Sequence, residues 1–239
     1  MSTELAGPTR RDRQRAATVA EIKAVARQRL VEGGQTAIGL RAIARDLGLS
    51  APALYRYFPS HEDLITALIT DLFDELTEAM VAARDEYAPD DIGGRLYAIA
   101  LGLRAWAVDH PAEFGLVFGS PVHSPMLDLY DDSPCHQAGM RFGAVFKDLM
   151  QELWRLRPFE IPPDDELGPE LVAQLQSRAA QFGGLPPGAI YLSLTYWTRV
   201  YGLICMEIFG QLHWALDDAG PYFQAQLNEI ARALGLDCL

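Results

Sequence analysis

Apolar residues recur three and four positions apart along most of this 239-residue chain, the spacing that lines one face of an α-helix. Val19, Ile22, Ala26 and Leu30 predict a helix from about Arg10 to Glu32, closed by Gly33 and Gly34. Leu40, Ile43, Ala44 and Leu47 fall at i, i+3, i+4 and i+7, and Gly48 stops that short helix. Ser50 suits the N-cap of a second short helix, with Pro52 in its first turn and Leu54 and Phe58 facing inward. Ser60 and Asp63 then form an approximate capping box. The helix they open carries Leu64, Leu68, Leu72 and Leu76 and runs from His61 to about Glu86.

The remainder also reads as helix. Ile92, Leu96, Ile99, Leu103 and Trp106 define one element ending near His110 and Pro111, and a short one follows from Ala112 to Phe118. Residues 119–134 hold three prolines and the acidic residues Asp128, Asp131 and Asp132, and read as loop. Phe142, Phe146, Leu149, Leu153 and Leu156 mark the next helix. A Pro-rich acidic connection over 157–170 precedes a modest helix from Leu171 to Phe182. Pro186 and Pro187 start a long helix to about Leu212, with Ile190, Leu194, Trp197, Tyr201, Ile208 and Leu212 as its stripe. Phe223, Leu227, Ile230 and Leu234 line the last helix, Ala219 to Leu234. The expected fold is all-α.

Two short helices joined at Gly48 form a helix-turn-helix, whose second helix can enter the DNA major groove. With Leu54 and Phe58 inward, Ala51, Pro52, Ala53, Tyr55, Arg56 and Tyr57 are left outside. Small residues allow close approach to base edges, and the tyrosines and arginine can bond phosphates or bases. Packed helices of an ordinary all-α domain would share this spacing.

Charge changes the balance between those readings. The net charge is −12, unfavourable for a DNA-binding protein taken whole. Residues 1–57 nevertheless carry ten Lys or Arg against five Asp or Glu, a net of +5, and residues 58–239 carry −17. Phosphate binding needs a local basic surface, and an acidic body stays off the duplex. Arg10, Arg11, Arg13 and Arg15 lead into the first helix and can neutralise phosphates or reach the minor groove. Three scattered cysteines, Cys135, Cys205 and Cys238, fit a reducing cytoplasm rather than a disulfide framework. No long apolar run predicts a membrane span, and the charged N-terminus lacks the apolar core of a signal peptide.

The run LRAIARDLGLSAPALYRYFPSHEDLITAL, extended back to Ala24 through Glu32, Gly33 and Gly34, resembles the DNA-binding signature of the tetracycline-repressor (TetR) family of transcriptional regulators. The resemblance implies a DNA-binding domain over 1–60 and a helical ligand-binding and dimerisation domain over 61–239. The DNA-contacting set becomes Arg10, Arg11, Arg13, Arg41, Ala51, Pro52, Ala53, Tyr55, Arg56, Tyr57 and His61. His61 stands where the family generally has a phosphate-touching lysine, and Gly39 where Ser or Thr usually caps the first helix of the motif. AWAVDHPAEFGLVF and WTRVYGLICMEIFG resemble the ligand domain of one TetR branch, named for a Trp–His–Gly pattern; Trp197 and Gly202 match, and Tyr201 replaces the histidine.

Family precedent implies a homodimer on palindromic operator DNA, released when a small molecule binds. Both terminal helices, about 188–235, have spare apolar surface and suggest the dimer contact. Aromatic residues with two internal charges, Trp106, Phe114, Phe118, Phe142, Phe146, Trp197, Tyr201, Arg104 and Glu207, are the candidates for an apolar ligand pocket, although aromatics at helical spacing also make ordinary core. Arg104 and Glu207 could equally pair with each other. His123, Cys135 and His136 are weak metal ligands by spacing, and no metal or cofactor is expected. No nucleophile–base pair points to catalysis. An all-α enzyme or small-molecule carrier with a structural helix-turn-helix stays open, as does a DNA-binding protein with no effector.

Overall fold

The computed structural model describes residues 7, 9–119 and 132–236, and these form eleven α-helices with no strand among the described residues. They gather into two compact units: residues 1–73 with 112–138, and residues 74–111 with 139–239. The expected loop over 119–134, with His123, Asp128 and Asp131, lies largely outside the described residues, as does Cys238.

The first unit begins with α1 (Arg10–Gly33), whose start is fixed by a feature that the hydrophobic spacing does not show. Thr9 and Asp12 form a capping box: Asp12 N–H donates to Thr9 Oγ1 and Thr9 N–H to Asp12 Oδ2. The Thr9 bonds hold the Asp12 carboxyl below its ordinary pKa. Ile22, Ala26 and Leu30 form the buried face. A 3-10 turn at Gln35–Ala37 leads to α2 (Leu40–Asp46) and α3 (Ala51–Tyr55). Gly48 takes φ +65° between them, in the left-handed region that a side chain resists. Ser50 Oγ accepts from Ala53 N–H, so the cap expected there is present. Gly39 caps α2 with no side-chain bond.

The helix α4 (His61–Asp85) opens on the Ser60–Asp63 capping box, with Asp63 N–H donating to Ser60 Oγ at 3.0 Å and Ser60 N–H to Asp63 Oδ2 at 2.9 Å. By packing, α6 (Pro111–Phe118) joins this unit from Ala112 onward. Glu113, 4 % exposed, accepts from Arg27 Nε at 2.9 Å, the partner a buried carboxylate requires. Phe114 and Phe118 pack together, and Phe118 meets Phe73 edge to face at 5.7 Å.

The second unit contains the rest of α4, then α5 (Ile92–Asp109), most of α7 (Pro134–Leu156), α8 (Asp164–Leu167), α9 (Pro169–Arg178), α10 (Pro187–Ile208) and α11 (Gly220–Ala233). Two expectations need correction. The modest helix stops at Arg178 and continues to Phe182 as a 3-10 segment, and the connection before it holds the short helix α8. The long helix ends at Ile208, not near Leu212, because Gly210 adopts φ +69° and Gln211 N–H turns back to Met206 O.

The inward face of α10 also differs from the expected stripe. Ala189, Ile190, Ser193, Tyr196, Val200 and Ile204 are buried, whereas Leu194 is 41 % exposed. A helix apolar on most sides carries no sequence signal for its rotation about its own axis. The one buried hydroxyl on that face besides Tyr196, that of Ser193, donates to Ala189 O at 2.8 Å. By contrast α11, polar on one side, buries Phe223, Leu227 and Ile230 as expected.

Candidate nucleic-acid interface and ligand cavity

The helix-turn-helix buries Ile43, Ala44, Leu54 and Phe58 and turns the remaining side chains outward. Pro52, Tyr55 and Arg56 are exposed, while Ala51, Ala53 and Tyr57 are half-buried. Leu54 has no exposed surface, so it anchors the five-residue helix α3 and thereby sets the direction of Tyr55. Arg15 lays its guanidinium over the Tyr57 ring at 5.4 Å, a cation–π contact that ties α1 to the end of α3. Arg41, Arg45, Tyr55 and His61 line one shallow groove with Gly39 and Ser60.

The basic residues of this unit fall into two groups. Lys23, Arg27 and Arg29 pair with Asp71, Glu113 and Asp46. Arg10, Arg11, Arg13, Arg15, Arg41, Arg45 and Arg56 have no carboxylate partner among the described residues, and all seven are exposed. Internal pairing neutralises the first group, and the second keeps its full positive field for an anion. Arg45 is absent from the set expected from sequence, although it stands four residues after Arg41 and therefore on the same face of α2. His61 Nε2–H donates to Ile38 O at 2.8 Å, which leaves Nδ1 as the ring nitrogen for an outside partner.

A cavity of about 60 Å³ lies inside the second unit, among α5, α7, α10 and α11. Its walls include Met80, Phe146, Met150, Tyr196, Trp197 and Asn228, and no ionisable acid or base other than tyrosine lines it. Burial pushes the hydroxyls of Tyr97 and Tyr196, both on the wall, above their ordinary pKa.

Of the residues singled out by sequence for a ligand, the structure puts Phe146 and Trp197 on this wall. Phe142 meets Trp197 edge to face at 5.5 Å, and Tyr201 stacks on it at 6.0 Å, both behind the lining. Burial raises the Tyr201 hydroxyl and the Cys205 thiol above their usual pKa ranges, and the two groups hydrogen-bond. Trp106 is buried, donates from Nε1 to Glu75 Oε1 at 3.0 Å and stacks on His110. Arg104 and Glu207 pair with two bonds, Nε to Oε2 at 2.8 Å and Nη2 to Oε1 at 2.6 Å, and the guanidinium rests over Phe223. The bonds to Glu207 raise the pKa of Arg104 further. Phe114 and Phe118 belong to the first unit's packing and take no part in this cavity. Among the described residues no group of three or more His, Cys, Asp or Glu could hold a metal.

A basic helix-turn-helix in one unit, with an all-helical second unit enclosing an apolar cavity, defines a class: DNA-binding regulators of transcription. Residues 22–68 match the model of bacterial regulatory proteins of the tetR family, and residues 96–230 match that of the tetracyclin repressor-like C-terminal domain. The chain belongs to the TetR family of transcriptional regulators. It is 32 % identical over 221 residues to the HTH-type transcriptional regulator Rv1816 of Mycobacterium tuberculosis and, equally, to Mb1846 of Mycobacterium bovis, covering 90 % of this chain and 91 % of theirs. The regulatory protein SCO4313 superposes with a TM-score of 0.71 at 30 % identity, over 93 % of this chain and 98 % of that one. RolR, solved with resorcinol bound, shares the fold with a TM-score of 0.57 at 16 % identity, over 95 % and 91 % of the two chains. No helix among the described residues is long and apolar enough to cross a membrane.

Proposed function

We propose that the chain is a non-enzymatic cytoplasmic repressor that binds palindromic operator DNA as a homodimer and leaves it when a small apolar or aromatic effector binds. The observation carrying this reading is the segregation of cations in the first unit: unpaired arginines gather at the start of α1 and on the helix-turn-helix, while Lys23, Arg27 and Arg29 are internally paired. In this reading Ala51, Pro52 and Ala53 let α3 approach base edges, Tyr55, Arg56 and Tyr57 bond bases or phosphates, and Arg10, Arg11, Arg13, Arg41 and His61 hold the backbone. Arg45 joins them. The DNA-binding domain is residues 1–60, and residues 61–239 serve effector and dimer.

The dimer is assigned to α10 and α11. Leu194, Met206 and Tyr222 lie on these helices with 41 %, 38 % and 41 % of their surface exposed, and Phe209 and Trp214 follow the end of α10. Large apolar side chains left exposed along these helices support an interaction surface there. The effector is assigned to the cavity bounded by Phe146 and Trp197, with Phe142 and Tyr201 against Trp197 and Arg104–Glu207 bracing the unit. The resorcinol bound by RolR supports a small aromatic compound. An effector can release DNA only by binding the DNA-incompetent form more tightly. α4 supplies the connection, since His61 and Met80 lie on one continuous helix.

Binding to duplexes from the protein's own upstream region, followed as salt is varied, tests the reading. We expect sequence-dependent binding of one dimer per site, weakened steeply by salt. Equal affinity for unrelated DNA would reject the regulator in favour of a carrier with a structural helix-turn-helix. In sedimentation, Leu194→Glu with Met206→Glu is expected to give folded monomers; an intact dimer would move the interface elsewhere.

A further inference from the structure

We propose that the cavity of the second unit takes an uncharged, ring-sized molecule bearing one O–H or N–H group, and that Asn228 Oδ1 receives that hydrogen. The proposal rests on the reading of the chain as an effector-binding regulator. It adds the chemistry by which the effector is recognised.

Asn228 carries an unmet hydrogen-bonding group. It sits on α11 and lines the cavity, and its Oδ1 is buried with no hydrogen-bond partner. A carboxamide oxygen has two acceptor sites, and buried polar atoms are almost always satisfied by protein or water. An unmatched acceptor on a residue of the cavity wall is an address for a donor that reaches it as the lining yields. Around it, Trp197, Phe146 and Tyr196 supply flat walls, the usual surroundings of an aromatic ring. No Lys, Arg, His, Asp or Glu lines the cavity, so an ionised ligand would lose its hydration with no countercharge. Arg104 and Glu207 do not supply one, because each is occupied by the other.

Size sharpens the class. The cavity of about 60 Å³ is smaller than the roughly 150 Å³ that accommodates a benzene ring. A ring therefore enters only if the lining yields, and Met80 and Met150 are the side chains suited to do so, being unbranched and free to change rotamer. Occupation pushes on α4 at Met80 and on α11 at Asn228 together.

Calorimetric titration of the full chain with phenol, anisole and benzoate tests this, with thermal shift alongside. The three share a ring and differ in bearing a donor, a masked donor and an anion. We expect phenol to raise the melting temperature and to bind about tenfold tighter than anisole, the scale of one hydrogen bond. Benzoate should not bind. Asn228→Leu, which replaces the unmatched amide by an apolar group of similar volume, is expected to fold and to bind phenol and anisole equally. Equal affinities in the unaltered protein, a preference that survives Asn228→Leu, or failure of both neutral rings to bind would each overturn the assignment. Operator binding, measured separately, decides the other reading. Phenol preference without any effect on operator affinity would uphold the cavity chemistry and reject the effector role. Operator binding without ring binding would uphold the DNA-binding reading and reject the cavity chemistry.

Discussion

Helix α3 has five residues and, with its C-cap Arg56, shows solvent Pro52, Tyr55 and Arg56; helix α10 has twenty-two and shows it Leu194 and Met206. The first is held by one buried leucine, one serine cap and a glycine turn, so each of its exposed side chains is free for an outside partner. The second is apolar on nearly every side, and its exposed face is what remains after the core has been filled. The contrast shows two ways for sequence to encode binding. In the first unit, polarity is the message, and unpaired cations mark the surface. In the second, absence of polarity around the cavity is the message, and Asn228 stands out on that wall.

The largest expected effect lies in the first unit. Tyr55→Ala together with Arg56→Ala should weaken operator binding by about a hundredfold or more, at roughly 1–3 kcal/mol per lost contact, with helical content and dimerisation unchanged. Operator affinity surviving the double change would move recognition off α3. Next comes the second unit's internal ion pair. Glu207→Leu leaves the partly buried Arg104 without its carboxylate and should cost about 2 kcal/mol in urea unfolding, below the cost at a fully buried site. Arg104→Met combined with Glu207→Leu should recover most of that loss. If the double variant is no more stable than Glu207→Leu alone, the pair braces nothing.

A smaller change is expected at the start of α4. Ser60→Ala removes a reciprocal cap and should lower stability by about 1 kcal/mol, read from the unfolding midpoint. An unchanged midpoint would leave the cap without energetic weight. The smallest effect is a slope. Burial raises the Cys205 thiol and the Tyr201 and Tyr196 hydroxyls above their ordinary values of 9.0, 10.0 and 10.0. Above pH 9 the unfolded chain releases these protons before the folded one does. Stability contributed by the neutral groups is thus complete below that pH and declines as it rises further. Cys205→Ser with Tyr201→Phe should flatten the decline, and a decline left intact would assign it to other groups.

Much of this architecture is readable from the sequence, for reasons that differ by element. The first helix, α2, α3, the start of α4 and the buried face of α11 are amphipathic or carry explicit caps and glycine stops, and their expected faces match the structure. The rotation of α10 is not readable, because a helix with little polar surface offers no contrast to count. Its early end escapes notice because Gly210 stands among apolar residues that continue the helical spacing. For the basic face, Arg45 and the Thr9 cap each have a sequence signal, an i+4 partner in Arg41 and an S/T-x-x-acid pattern with Asp12. The placement of Phe114 and Phe118 away from the cavity, the coming together of Phe146 and Trp197, and the unmatched oxygen of Asn228 depend on long-range packing. Spacing along the chain does not encode them.

The Thr9 cap also fixes the directions in which the neighbouring arginines point. Because it starts regular winding at Arg10, the four arginines do not form a loose string that can mould itself to a polyanion. At 3.6 residues per turn, Arg10 and Arg13 share one side of α1, and Arg11 and Arg15 share another, nearly half a rotation away. Arg15 leans on Tyr57, so its side is the one turned to the reading head. A straight rod laid beside this helix touches one such couple closely and lies only within the field of the other, so Arg10, Arg11 and Arg13 hold the backbone unequally. For one dimer on its site, the exponent linking affinity to ionic strength should therefore drop by about four, and not eight, when all four are replaced in each protomer.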